Sequence, residues 1–230
     1  MMIRINKYLS EMGVVSRREA DRLIEKRKVK INGHIAKLGD RVDGSEQIEV
    51  EGHPVRRKVP EKVYLAYNKP AGVIVTSDRD AKDNILAKVR YPGRVFPVGR
   101  LDVKTSGLIL LTNDGDMVNK ILKGENKVEK EYIVQVDKIF DDKFLKKLRS
   151  GIVLEGFRTL PARVAAIDEK RLSMVIVEGK KRQIRRMCEM LGYQVVKLAR
   201  VRIGGLKLED LGLRLGSWTK LREEEVGRIF

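Results

Sequence analysis

Apolar residues fall at helical spacing near the start of the chain. Ile5, Tyr8, Leu9 and Met12 share one side of a predicted helix, which Gly13 ends. Ser16-Arg-Arg-Glu19 then has the form of a capping box, in which the Ser16 hydroxyl satisfies a free amide and Glu19 reaches back. In the helix that follows, Ala20, Leu23 and Ile24 cluster on one side, while Arg18 and Arg22 project from the other. Val29–Ile31 reads as a strand entering a tight turn at Asn32-Gly33, and Ile48–Val50 as a further short strand. From Glu51 to Glu61, with Pro54, Pro60 and Arg56-Arg57-Lys58, no pattern of either period continues. That stretch is predicted to be a linker, dividing the chain into residues 1–58 and 59–230.

The larger part alternates strand-like runs (Val63–Asn68, Val73–Thr76, Leu108–Thr112, Lys130–Val136, Leu172–Val177) with helical ones. The predicted helices are Met117–Leu122, Asp141–Ser150 and Arg182–Leu191. The order is that of an α+β sheet domain, not a regular βαβ array. Within 182–191, Ile184, Met187, Cys188 and Leu191 form the apolar stripe. Arg185 lies at its edge, able to reach inward or to join a solvated charge run, and Arg182 and Arg186 point outward.

Charge narrows the partner. The chain of 230 residues has a formal net charge of +17 and a pI near 10.0. Residues 1–60 hold 14 basic and 9 acidic side chains, a net of +5, which leaves +12 for the rest, so both parts are basic. Lys and Arg that neutralise phosphates release condensed counterions, so nucleic acid is the expected partner. Cys188 is the single cysteine, and His34 and His53 are the only histidines. An internal disulfide, a Cys-based zinc site, a Ser-His triad and a His-rich metal site are therefore not expected. Neither a signal-peptide pattern nor a run of eighteen apolar residues occurs, so a reduced, soluble, cytoplasmic protein is expected. Aromatics make up only 5%, which argues against a sheet that binds single strands mainly by stacking.

Candidate chemistry centres on one acid. Asp102 is a lone carboxylate in Phe96-Pro-Val-Gly-Arg-Leu-Asp-Val-Lys-Thr-Ser-Gly-Leu108, on a short loop between two strand-like segments. A loop acid on a rigid scaffold is a usual place for catalysis; its bland alternative is an Asx-turn. Gly99-Arg100-Leu101-Asp102, with Thr105, Gly107 and Leu108, resembles the signature loop of the RNA pseudouridine synthases. Two further segments are similar to that family in the expected order: Lys130-Glu131-Tyr132, a Lys-x-Tyr strand, and Gly179-Lys-Lys-Arg182-Gln183-Ile184-Arg185-Arg186-Met187, followed by Val196 to Gly204. Asn6-Lys7-Tyr8-Leu9, Ser16-Arg17-Arg18 and Val29-Lys30-Ile31-Asn32-Gly33 look like the S4 RNA-binding domain. Together these cover nearly the whole chain and resemble the RsuA branch, which joins the two domains. Val118 to Leu122 and Glu129 to Tyr132 look most like a member that acts on large-subunit rRNA. Gly216-Ser-Trp218 resembles the closing strand, and no extra tail is expected after Phe230.

The resemblance implies a small S4-type α/β domain followed by a catalytic domain with a mixed, mainly antiparallel sheet flanked by helices. It implies isomerisation of uridine in ribosomal RNA, most readily of the large subunit, with neither metal nor other cofactor and with a monomer expected. Asp102 would attack the sugar or base, or take the ribose 2′ proton. Burial would raise its pKa, so an opposing cation is expected, and Arg185 is the candidate. Tyr132 would lie against the uracil, and Leu198 and Ile203 would line the pocket. Lys130 would position the loop or a phosphate; Arg100 would fill the gap left by the extruded nucleotide or brace the loop. Arg4, Lys7, Arg17, Arg18, Arg22, Lys28 and Lys30, with Arg182 and Arg186, would contact RNA. The rivals are a catalytically inactive RNA-binding assembly factor, a small-subunit target, and a metal-dependent nuclease, which would need several convergent carboxylates.

Overall fold

The structure, a computed structural model, describes residues 2–56, 60–78, 81–122 and 126–230. Two compact units divide the chain: residues 1–62 with Asn113–Gly115, and Val63–Thr112 with Asp116–Phe230. Arg57, Lys58 and the predicted boundary between 58 and 59 lie outside the described residues.

The N-terminal unit runs β1 (Ile3–Arg4), α1 (Ile5–Glu11), α2 (Arg17–Glu25), β2 (Val29–Ile31), β3 (His34–Ile35), β4 (Arg41–Val42), β5 (Ile48–Val50) and β6 (His53–Pro54). The Ser16 hydroxyl accepts from the Glu19 amide at 3.1 Å, which caps α2, and the Glu19 carboxylate meets Arg22 at 3.3 Å. Ile5, Leu9, Ala20, Ile24, Val29 and Val42 close one apolar core. Asn32 and Gly33 both have positive φ, 49° and 79°, the form a two-residue hairpin needs to keep the strand twist. The four strands pair in the order β3-β2-β5-β6, so the stretch read as a linker begins with an edge strand. Pro54 is tolerated there because an edge position demands no amide donor.

The second unit contains β7 (Tyr64–Lys69), α3 (Ile85–Val89), β8 (Phe96–Pro97), β9 (Ser106–Thr112), α4 (Gly115–Leu122), β10 (Lys130–Val136), α5 (Asp142–Ser150), β11 (Val153–Leu154), β12 (Phe157–Arg158), β13 (Arg163–Ala166), β14 (Arg171–Ile176), α6 (Gln183–Met190), β15 (Val195–Ile203), β16 (Leu206–Lys207), β17 (Trp218–Lys220) and α7 (Glu223–Gly227). Its main sheet has the order β13-β14-β10-β15-β9-β7-β17, with β8 and β16 attached to β9 and β15. Only the β15–β9 pair is parallel among these strands. The unit is therefore α+β with a mixed, mainly antiparallel sheet.

Central strands show why the apolar pattern reads as it does. Ile109 and Leu111 enter one core cluster, and Leu108 and Leu110 enter the other. A strand buried on both faces needs an unbroken apolar run. β10 alternates instead: Lys130, Tyr132, Val134 and Val136 are buried, and the residues between them are half-exposed. Val73–Thr76 is not a strand; only Ile74 makes a bridge, to Asn84.

Candidate active site

Eight residues, Val98 to Thr105, return the chain from β8 to β9. Val98 and Leu101 are buried in different clusters and anchor the loop. The Thr105 amide donates to the Asp102 carbonyl at 2.9 Å, closing the turn. Asp102 is left half-buried between buried Leu101 and exposed Val103.

Two buried cations hold this loop. Lys69 ends β7 with none of its surface exposed. Its Nζ donates to the carbonyls of Pro70 and Val73, both at 2.9 Å, and of Val103 at 3.4 Å. Burial pushes the Lys69 pKa down to about 8, and the Asp102 carboxylate pulls it back toward the charged form. Arg185, on the first turn of α6, donates through Nη1 to the Val195 carbonyl at 2.7 Å and through Nη2 to the Lys104 carbonyl at 2.9 Å. Burial and the nearby Arg182 lower its pKa, and Asp102 again opposes the shift. Asp102 thus lies in the field of two cations that each bond a carbonyl of its own loop.

The strands beneath complete the arrangement. β9 enters the sheet against β15, where Gly107 pairs with Arg200. A Cβ at Gly107, whose φ is +101°, would lie 2.2 Å from the Arg200 carbonyl oxygen, so no side chain fits there. Arg200 also lies opposite Tyr132 across the β15–β10 ladder, and its Nε donates to the Leu108 carbonyl at 2.7 Å. Tyr132, 8% exposed, packs in the same cluster as Leu101, Ile184 and Leu198.

Lys69, Lys130, Arg185 and Arg200 are the charged side chains buried among the described residues, and all four are cations. Burial disfavours an unpaired charge, so this excess calls for an anion beyond Asp102. Donor capacity is also left over. Arg185 Nε, Arg200 Nη2 and Thr105 Oγ1 are buried without a hydrogen-bond partner among the described residues. The arrangement can seat a nucleotide: it offers one carboxylate, a ring wall and a surplus of fixed positive charge. No three His, Cys, Asp or Glu side chains gather to hold a metal among the described residues.

A family model described as RNA pseudouridylate synthase matches residues 63–190, the span that holds Asp102, Tyr132 and Arg185. The chain belongs to this synthase family. The S4 domain model matches residues 3–48, so the synthase has an N-terminal S4 domain. The dual-specificity RNA pseudouridine synthase RluF of Salmonella typhi is 43% identical over 228 residues, covering 99% of this chain and 78% of its own length. The ribosomal large subunit pseudouridine synthase B of Bacillus subtilis is 40% identical, over 99% of this chain and 96% of its own. A crystal structure of a pseudouridylate synthase matches with a TM-score of 0.73 and 31% identity, over 99% of this chain and all of that one.

The synthase fold sets Asp102 in the field of Arg185 and packs Tyr132 in one cluster with Leu198 and the loop's Leu101, and places other expected residues elsewhere. Lys130 is buried on the Tyr132 face, its Nζ 3.4 Å from the Val177 carbonyl. Burial and the Arg200 charge lower its pKa. Ile203 packs with Leu108, Leu110 and Met117 in the second cluster, apart from Leu198. Arg100 is exposed. Arg182 is exposed, 3.6 Å from Glu189, whereas Arg186 is half-buried over the Phe157 ring, its guanidinium carbon 5.7 Å from the centroid. Arg4, Arg17, Arg18, Arg22, Lys28 and Lys30 are exposed and Lys7 half-exposed; Lys7, Arg22 and Lys28 each meet a glutamate at 3.3 to 3.4 Å.

Sequence reasoning missed Lys69 and passed over Arg200. Lys69 directly follows an apolar strand and precedes Pro70, which is the signal that could have found it. Arg200 carries no such local mark, because its importance comes from the parallel partner strand.

Proposed function

We propose that this synthase converts uridine to pseudouridine in ribosomal RNA of the large subunit, in the cytoplasm, with Asp102 as the essential carboxylate. The isomerisation breaks N1–C1′, turns the uracil and joins C5 to C1′; C5 loses its proton and N1 gains one. Atoms and oxidation state balance, so neither an oxidant nor a second substrate is required.

The observation that carries this reading is the half-buried Asp102 facing two buried cations, each bonded to its loop. Those cations set fixed positive charge against the carboxylate, which orients it within the loop for work on a bound base. Tyr132 provides the flat wall that an extruded base requires, with Leu198 packed beside it. Lys130 and Arg200 supply positive charge for the nucleotide's phosphate. Arg100, exposed on the same loop, is free to enter the stack the uridine leaves. The S4 cations, with Arg182 and Arg186, hold RNA outside the site. The large-subunit target rests on the Bacillus subtilis relative, a ribosomal large subunit pseudouridine synthase.

Mapping pseudouridine by chemical adduct and primer extension, in rRNA from cells with and without the gene, tests the activity and locates the uridine. Asp102→Asn should form no product while retaining RNA affinity within a few-fold. Turnover surviving in that variant would remove the carboxylate from the reaction.

A further inference from the structure

The synthase contains one tryptophan, Trp218, and it lies on the edge strand β17, more than a third exposed. Its register is informative. Trp218 lies directly opposite Tyr67, and Tyr67 packs in the cluster that includes Tyr132 and Leu101. Residues directly opposite in an antiparallel pair point to the same face, so Trp218 shares the face of the active site. β17 is two strands from β9, an offset of about 10 Å at ordinary strand spacing.

Beside it, Tyr91 meets the Trp218 ring edge-on, with centroids 5.9 Å apart and planes at 80°. Gly93 makes room for the Tyr91 ring, since a Cβ there would lie 2.8 Å from Cε1. Tyr91 also walls a cavity of about 290 Å³, with Leu86, Val89, Pro92 and Val95 among its lining. The Asn84 side chain in the same lining is occupied by the backbone, donating to the Ala81 carbonyl and accepting from the Ala87 amide, both at 2.8 Å. Any occupant is therefore held by ring contact more than by edge hydrogen bonds.

Charge identifies the occupant. Residues 83–95 contain Lys88, Arg90 and Arg94 against the single acid Asp83, a net of +2. Lys220 lies on the Trp218 face of β17, two residues along. Aromatic rings set among cations are what single-stranded nucleic acid requires, with bases on the rings and phosphates on the cations.

We propose that Tyr91, Trp218 and the adjoining cavity form a second nucleobase subsite, which stacks an unpaired base of the RNA outside the reacting nucleotide. This rests on the synthase reading but is measured separately from turnover. The subsite is sequence-tolerant, because every base presents a ring face. It would hold the strand beside the loop of Asp102 while the target uridine is turned.

Because Trp218 is the sole tryptophan, its fluorescence reports this surface alone. Titration with a single-stranded oligouridylate should quench the emission in step with binding measured by filter retention. Inorganic polyphosphate, a polyanion without bases, should bind and leave the emission unchanged. Trp218→Ala should raise KM for an rRNA transcript about 5- to 100-fold with kcat within twofold, and Trp218→Phe should restore most of the loss. Tyr91→Leu keeps the tryptophan and should weaken the quench, which serves if Trp218→Ala melts well below wild type. Unchanged emission at saturating oligouridylate, equal quenching by polyphosphate, or an unaltered KM in the folded variants would each overturn the subsite. A wild-type chain that forms no pseudouridine but quenches with oligouridylate would sink the activity and keep the subsite.

Discussion

Lys69 is fully enclosed, and its charged form is tolerated because three carbonyls and the Asp102 carboxylate face it. Its folded pKa of about 8 lies below the ordinary lysine value of 10.5. Between those values the unfolded chain binds more protons than the fold, so this group makes stability rise with pH through that window. Below about pH 8 the buried charge costs stability, and above 10.5 it is neutral in both states. Activity should move the other way, since loss of the charge above pH 8 removes one of the two cations facing Asp102. Denaturant midpoints should therefore climb between pH 8 and 10 while kcat/KM declines along an alkaline limb near 8. Lys69→Met should lose the climb and be slow at every pH. Lys69→Arg, if folded, should carry its limb to higher pH. A wild-type limb that Lys69→Arg leaves in place would assign it to another group. At Arg185 the same logic separates charge from shape: Arg185→Lys keeps the charge but cannot span the Val195 and Lys104 carbonyls together. A fall in kcat of about tenfold or more is expected, read at saturating RNA; an unchanged kcat would mean that charge alone suffices.

At the level of elements, what was legible in the sequence was what local pattern encodes. Predicted strands at Val63–Asn68, Leu108–Thr112 and Lys130–Val136 fall within a residue or two of β7, β9 and β10, because apolar runs and alternation are local signals. The α6 stripe placed Arg185 at an edge from which it does reach inward. β15 shows no strand pattern in the sequence. Its cations interrupt the apolar run, and only the fold reveals that Arg200 is buried and Arg202 bonded to Glu129 and Glu131. Its parallel insertion between β9 and β10 is a long-range choice that no window of sequence contains. The five-residue α3 is too short for periodicity, so the Tyr91 cavity was invisible as well. That insertion makes a sharp prediction at Gly107. Gly107→Ala demands a left-handed alanine and drives its methyl into the Arg200 backbone. A loss of about 3 kcal/mol or more is expected from strain and displacement together, read as a lower denaturant midpoint. Near wild-type stability would mean that the β9–β15 junction yields easily.

Across the whole molecule, the positive charge is of two kinds with different salt behaviour. Surface cations of the S4 domain, on the reading that they hold phosphate, would act through exchange of counterions, whereas the four buried cations sit in fixed positions away from mobile salt. Binding should therefore weaken steeply with salt while the chemical step does not. For single-stranded contacts each phosphate contributes about 0.7 to the slope of log affinity against log salt. Replacing Arg17, Arg18 and Arg22 together with alanine removes three exposed cations from α2. If all three touch phosphate, the slope should fall by about 2, and the affinities of variant and wild type should converge as salt rises. The turnover of bound RNA should stay at the wild-type value, because none of the three lies in the unit that holds Asp102. Single-turnover rates with enzyme in excess, beside a binding series from low to high salt, separate the two effects. An unaltered slope would make α2 a solvated face and shift RNA capture onto the basic surface of the catalytic unit. A slower chemical step in the triple variant would mean instead that S4 contacts help to present the uridine to Asp102.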